Sequence, residues 1–555
     1  MSFALLNDGS DAVRLILLER TVAIGVVVAL LAFASYRKFE NIIRMVFRLV
    51  CDLVRSRSGS LAYASLGRLW SQAHVKPILS KVSLPRVGEV AVIRTAKHTG
   101  ECLTVLPSLK MEAASTDNYK SEIVVTLEPS IQYQTFLGFG GSFTESSTDL
   151  FAKASEENQE TIITSYFSKE SGLGYRFGRL HMNSCDFSTG HWACAETEGD
   201  GKLQDFSIDR YRKTILPMVK RAVESAGKLN LIFSPWSPPK WMKSNGSMHS
   251  GTLLPEHRSS WANHYIRFAE EFAKEGVEFW GLTVQNEPEA DTPWETCSYT
   301  AEEERDFVRD FLGPAVQASK MDLKLLIWDH NRDNMFLRAQ TIYADPKAAA
   351  YVWGVAYHWY GDPRHECWPD RAGQVLFDNL QKVHDLQPDK HIAMTECCQE
   401  FGPRIGNWTL GERYAEAIIK DLNNWLEIWI DWNLILDHWG GPNHAFNRCS
   451  SPVIYDTSRN RVLFLSSYYY IGHFSRYIHP GAKRIAVAAN RDCLEVTAFA
   501  NPDRTLVAVV LNRSSKSLKF SLRCEGSAVQ AEAPAHSIST FLVGPTLCTT
   551  RDSRL

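Results

Sequence analysis

No C-x-x-C pair occurs among the 12 cysteines, which are scattered from Cys51 to Cys548. That spacing argues against a zinc knuckle or a dithiol redox motif. Cys397 and Cys398 are adjacent, an awkward start for two local bridges, and a chain of 555 residues does not need a disulfide frame. Neither sign of charge is in excess. Sixty Lys and Arg face 63 Asp and Glu, a net charge of −3, so no global field recruits nucleic acid. There is no P-loop, H-E-x-x-H or G-x-S-x-G, and Gly172-Leu173-Gly174 followed by Gly178 misses the dinucleotide fingerprint by one position. Repeats and low-complexity tracts are also missing. What is present is an ordinary globular composition, 45% hydrophobic and 22% charged, with 16 Trp and 19 Tyr. Flat aromatic faces usually fill cores, but they also line sugar-binding clefts.

At this length one large domain plus one or two small ones is expected. The first 80 residues differ from the rest. Residues 21–36 carry no charge and are followed by Arg37 and Lys38. The run is slightly short for a spanning helix, yet with Leu15–Leu18 upstream and no convincing cleavage site it reads as an uncleaved anchor. Residues 41–57 then set Ile42, Ile43, Val46, Leu49 and Leu53 against Arg44, Arg48 and Arg55, the pattern of a helix lying in a headgroup layer. The expectation is membrane association through residues 1–80.

From about residue 131 to 475, short apolar runs alternate with amphipathic helical stretches. The strand-like runs are 136–140, 175–182, 229–234, 279–284, 323–328, 354–357, 391–395 and 433–436. Among the helical stretches, Trp261, Tyr265, Phe268 and Phe272 form one stripe, and Thr300 with Glu303 forms a capping box opening 301–312. Eight strands with helices between them predict an α/β fold, a (β/α)₈ TIM barrel. From residue 476 onward short strands replace helices. With the first strands, in residues 85–130, they predict a β-sandwich-like domain built from both segments flanking the barrel.

Reactive groups in such a barrel gather where strands end at their C-terminal side. The run at 279–284 leads into Gln285-Asn286-Glu287-Pro288, and the proline forces the strand to break at Glu287. The run at 391–395 leads into Glu396, 354–357 into His358-Trp359-Tyr360, 175–182 into Asn183-Ser184-Cys185-Asp186, and 229–234 into Pro235-Trp236. Two carboxylates among aromatic platforms suit glycoside hydrolysis, where one carboxyl gives a proton and the other attacks the anomeric carbon.

The chain resembles the glucosylceramidase (acid β-glucosidase) family, glycoside hydrolase family 30 of clan A. The resemblance is carried, in family order, by FLGFGGSFTESS from Phe136, MNSCDFS from Met182, SPWSPPKWMKSNG from Ser234, TVQNEP from Thr283, YHWYGD from Tyr357, TECC from Thr395, DWNLILD from Asp431, GGPNH from Gly440 and LNRSS from Leu511. It implies a retaining double displacement with Glu287 as acid/base and Glu396 as nucleophile. Asn286 would bind the sugar 2-hydroxyl, Arg179 would keep Glu396 ionised, and Tyr360 would donate to it. Asp186, Trp236, Trp432 and Asn443 match positions that hold the glucosyl unit, and His358 matches a supporting position. No metal and no cofactor is implied.

The resemblance also implies a glycosphingolipid substrate, a membrane surface, a lipid-presenting activator protein and a lumenal compartment. The positive flank after residue 36 would by itself leave the catalytic domain in the cytosol. The first 80 residues have no counterpart in the family pattern, and Cys397 doubles its usual single cysteine. Two rival readings stand beside the leading one: an endo-β-1,6-glucanase or xylanase activity of the same family, and a non-catalytic glycolipid-binding protein.

Overall fold

The computed structural model describes residues 79, 82–114, 123–362, 364 and 375–544. The apolar run at 21–36 and the basic segment at 41–57 lie outside the described residues. Among the described residues no helix is long and apolar enough to cross a membrane.

Eight parallel strands close into a barrel: β1 (Gly138–Ser142), β2 (Phe177–Met182), β3 (Asn230–Pro235), β4 (Phe279–Thr283), β5 (Lys324–Asn331), β6 (Val352–His358), β7 (His391–Glu396) and β8 (Ile428–Asn433). Helices cover the outside, so most strands are buried on both faces and read as near-continuous apolar runs. Phe177, Ile232, Leu326, Ala356, Ala393, Ile428 and Ile430, from six different strands, fill one interior layer. β1 pairs with β2 through Gly140 and Phe177. A Cβ at Gly140 would collide with the Phe177 carbonyl, so this close approach requires glycine.

The outer helices follow their apolar stripes. Trp261, Tyr265, Phe268 and Phe272 are buried along Arg258–Lys274. Thr300 and Glu303 make both hydrogen bonds of a capping box, which satisfies two orphan amides where the helix begins. One strand differs from expectation. The run at 433–436 is not the eighth barrel strand; Ile428–Asn433 is, between β7 and β1. Ile435–Asp437 instead joins a separate three-stranded sheet with Val453–Asp456 and Arg461–Phe464. Asp431 interrupts the apolar signal of β8, but its carboxylate is buried and accepts hydrogen bonds from Tyr414 Oη and Cys397 Sγ.

The second layer is a ten-stranded sheet that takes strands from both flanks of the barrel. Glu89–Ala96 lies beside Ser537–Val543, and Ile123–Thr135 lies between Lys483–Ala489 and Leu518–Cys524. Leu506–Asn512 shows why the sheet docks where it does. Leu506, Ala508 and Val510 point into the sandwich core, whereas Val507, Val509 and Leu511 pack into the larger core shared with the barrel helices. Period-2 alternation thus separates two apolar faces, both buried. His473, on the barrel helix Ser466–Ser475, pairs its ring nitrogens with Thr540 and Thr95 across this junction, each at 2.9 Å. Asn512, which opens an Asn-Arg-Ser triplet of the N-glycosylation type, is also consumed here: it is buried, and its amide donates to the carbonyls of Lys516, Ala533 and Pro534.

Candidate active site

The backbone bends where the strands deliver their reactive groups. Glu287, just beyond β4, has φ +47°, and in β5 Trp328 and Asp329 have φ +75° and +54°. Left-handed values at such residues cost on the order of 1–3 kcal/mol each and persist only where the surroundings enforce them. Here the Glu287 amide donates to the Asp329 carbonyl at 2.9 Å, and the β5–β6 register slips between Ala356 and Tyr357. A slip of this kind turns one side chain out of the regular pleat.

Asp329 is the hub that results. Its Oδ1 accepts from His358 Nε2 at 3.0 Å and Thr395 Oγ1 at 2.5 Å, while Oδ2 accepts from Thr283 Oγ1 at 2.6 Å and Arg179 Nη2 at 2.8 Å. Arg179, fully buried, also reaches Glu396 Oε2 at 2.6 Å, Asn286 Oδ1 at 2.8 Å and Ser234 Oγ at 3.0 Å. Burial alone would push the Asp329 carboxyl up, but the Arg179 charge and the His358 hydrogen bond hold it far below the usual range.

Glu396 ends β7. Arg179 approaches one of its oxygens, and Tyr360 Oη donates to the other at 2.9 Å. Glu287 Oε1 meets His358 Nδ1 at 3.0 Å. Donor atoms of Glu287, His358 and Glu396 all lie within 4.8 Å of one another. Burial raises the proton affinity of Glu396, with His358 and Arg179 opposing it; at Glu287 burial is outweighed by His330 and His358, and the affinity falls. His358 would lose its proton through burial, yet the Glu396 charge and the hydrogen bonds to Asp329 and Glu287 raise its pKa to about 9. The resting site therefore stores a proton on the imidazole that touches Glu287. With that imidazolium and Arg179 standing among the carboxylates, this triad suits proton transfer better than metal binding.

Around the carboxylates stand flat and polar surfaces. Trp236 and Trp432 are stacked, with ring centroids 5.2 Å apart and planes 19° from parallel. The Arg179 guanidinium lies 4.8 Å from the Trp236 ring centroid and 5.4 Å from that of Trp432. Asp186 is buried; Asn447 Nδ2 donates to its Oδ2 at 2.8 Å, while Oδ1 has no partner. Burial and the Glu396 charge push its pKa up to about 8. A buried carboxyl with an unsatisfied oxygen is equipped to bind a hydroxyl-rich ligand.

The structure therefore brings Arg179, Asn286, Glu287, His358, Tyr360 and Glu396 into one connected network, with Asp186, Trp236 and Trp432 beside it. Asn443 lies in the adjoining loop, where its side chain is bonded to the Asn447 backbone in both directions. Asn447, which the sequence reading missed, is the residue that reaches Asp186. The reading also missed Asp329, Thr283, Thr395 and Ser234. Four of these five lie in barrel strands, and Asp329 falls one residue past the run at 323–328, so asking which buried acid could balance Arg179 would have found it.

Residues 136–478 match the glycosyl hydrolase family 30 TIM-barrel domain, and residues 481–541 match the family's β-sandwich domain. Putative glucosylceramidase 3 of Caenorhabditis elegans is 34% identical over 478 residues, covering 82% of this chain and 89% of its own. Lysosomal acid glucosylceramidase of Mus musculus is 32% identical over 482 residues, covering 84% and 91%. Among solved structures, SrfJ from Salmonella typhimurium is 30% identical with a TM-score of 0.77, covering 82% of this chain and 99% of its own. A barrel that ends two of its strands in facing glutamates, joined to a sandwich of matching sequence, belongs to an enzyme of glycoside hydrolase family 30.

Proposed function

We propose that the chain is a retaining β-glucosidase that hydrolyses glucosylceramide to glucose and ceramide. The observation that carries the mechanism is the approach of Glu287 and Glu396, whose facing oxygens lie within 4.8 Å. Carboxyls about 5 Å apart suit direct attack by one of them, whereas an inverting pair stands ~6.5–9.5 Å apart to admit water. Glu396 Oε attacks the anomeric carbon and the glycosidic C–O bond breaks. The leaving oxygen takes a proton through Glu287, which draws it from His358 across their hydrogen bond in the same step, so that Glu287 is left ionised beside a neutral imidazole. Once Glu396 is an ester its negative charge is gone, and with it the main influence raising the His358 pKa. Glu287 then accepts a proton from water, the hydroxide oxygen bonds to the anomeric carbon, and Glu396 leaves as a carboxylate. Asn286, oriented by Arg179, donates to the 2-hydroxyl.

The choice of glucosylceramide draws support from relatives named for that activity over most of this chain. The uncharged run at 21–36 and the basic segment after it support a membrane surface as the place of action. A lipid-presenting activator and an acidic lumen complete the proposal. The test compares a fluorogenic β-glucoside, glucosylceramide in vesicles and a β-1,6-glucan. Turnover of the first two supports the reading. Turnover of the glucan alone would assign an endo-acting enzyme, and turnover of none would leave a binding protein.

A further inference from the structure

Four loops at the mouth of the barrel bring three imidazoles around one buried carboxylate. We infer that His191, Glu295 and His444, joined by His249, form a site for a divalent transition metal such as zinc, separate from the catalytic carboxylates. Donor atoms of His191, Glu295 and His444 lie within 4.8 Å of one another. The His191 and His249 Nε2 atoms face each other at 3.1 Å. The His191 ring centroid is 4.6 Å from that of His249 and 4.4 Å from that of His444.

Two atoms of this set face each other as an ion pair with no well-formed hydrogen bond between them. Glu295 is fully buried, and its Oε2 has no hydrogen-bond partner; His444 Nε2, 3.4 Å away, has none either. Leaving a buried carboxylate oxygen and a buried imidazole nitrogen unsatisfied is costly, and a cation between them would satisfy both. The remaining contacts are those of a supported ligand set. His444 Nδ1–H donates to the Ser188 carbonyl at 2.9 Å, which leaves Nε2 with its lone pair for a metal. Glu295 Oε1 accepts from Ser184 Oγ and His191 Nδ1, so Oε2 is the oxygen left to coordinate. An isolated β-bridge between His249 and Glu295 fixes the two loops that carry them. His191, Glu295 and His444 supply the three mutually close donors, and His249, whose Nε2 faces that of His191, is the neighbouring imidazole that could complete the four-coordinate set zinc prefers. Access is open, because the His191 side chain is 44% exposed.

Such an ion would tie the loops after β2, β3, β4 and β8 together beside the sugar-binding Asp186. No spacing motif announces it, since the four ligands come from four separate loops. The test is equilibrium dialysis of tag-free, chelator-stripped full-length protein against zinc chloride, with the Co²⁺ absorption spectrum as a second reading. One zinc per chain at micromolar or lower concentration, with an intense tetrahedral Co²⁺ band, is expected. The paired change His191→Ala/His249→Ala alters partly exposed side chains, and a near-normal melting temperature in the absence of metal would show that it folds. It should weaken zinc at least 100-fold and abolish the Co²⁺ band. Glu295→Gln should do the same. Zinc binding that survives both variants would place the ion elsewhere, for example on Glu287 and Glu396, and overturn the assignment. Absence of binding to the wild type at 100 µM zinc would overturn it equally.

Discussion

Glu287 and His358 share a hydrogen bond of 3.0 Å, and the opposite face of the same imidazole is fixed by Asp329 at 3.0 Å. Glu287, the proposed acid/base, is thus one end of a chain of hydrogen bonds whose other end is a buried carboxylate anchored to Arg179. Because Arg179 also holds Glu396, Glu287 and Glu396 are positioned by one continuous set of side chains.

Replacing the nucleophile should remove turnover without disturbing the fold. Glu396→Gln keeps the shape at the end of β7 but cannot form the glycosyl ester, and a loss of at least about 10⁴-fold in kcat is expected. A 2-fluoro-glucoside should label Glu396 in the wild type by mass spectrometry. Label on any other carboxylate would reassign the role.

Glu287→Ala should show a defect that depends on the leaving group. Poor leaving groups need the proton and should slow by roughly 10²–10⁴-fold, whereas activated aryl glucosides should suffer little in the first step. Azide should restore the second step and yield a β-glucosyl azide. Equal loss on both substrate types without azide rescue would exclude Glu287 as the acid/base.

Asp329 offers a test of the hub. Asp329→Ala leaves Arg179 and His358 facing each other without their shared anion, and breaking a buried pair in this way costs about 3–5 kcal/mol. Denaturant unfolding should show this loss. Asp329→Asn, which retains the shape, should cost less stability while shifting the alkaline limb of the activity profile downward through His358. Equal stability of wild type and the alanine variant would remove Asp329 from the hub.

Stability should fall as pH rises from about 4 to about 9. Burial holds Asp186 and Asp431 protonated up to about 8 and about 7, so the fold is penalised once the unfolded chain ionises near 3.8. His358 acts in the same direction: its stabilisation is complete below about 6.5 and is lost as pH passes about 9. Asp329, held low, opposes this only on the acid side, where its contribution disappears as pH drops below the ordinary carboxylate range. Calorimetry should therefore give a higher melting temperature near pH 5 than near pH 8. The reverse order would contradict the assigned charge states.

Deleting residues 1–78 tests membrane attachment. The shortened protein should leave the membrane fraction and keep its rate on a water-soluble β-glucoside, while hydrolysis of glucosylceramide in vesicles falls. Retention in the membrane fraction would locate the attachment elsewhere.

The barrel was legible because each strand is an apolar run bounded by turn residues, and Glu287 and Glu396 were legible because each lies where such a run ends. β8 was misplaced because its buried Asp431 resembles a loop residue until Tyr414 and Cys397 are seen against it. Asp329 was hidden for a related reason: its role comes from partners on β2, β4, β6 and β7, none near it in sequence. Asn443 was assigned by its motif, but the neighbouring Asn447 makes the contact to Asp186 because the loop folds back on itself.

The pairing of Glu89–Ala96 with Ser537–Val543 sets a timetable for the newborn chain. Val543, the partner of Val90, emerges some 450 residues after it. At roughly 5–20 residues per second, Glu89–Ala96 waits tens of seconds for this second neighbour. During that interval a strand rich in valine and isoleucine has an open edge and no core. The barrel between the two partners can fold while it waits, but the sandwich cannot close before Ser537–Val543 has been made. Chains cut before Ser537 should consequently be handled by the cell as unfinished, even though Glu287 and Glu396 have already been made.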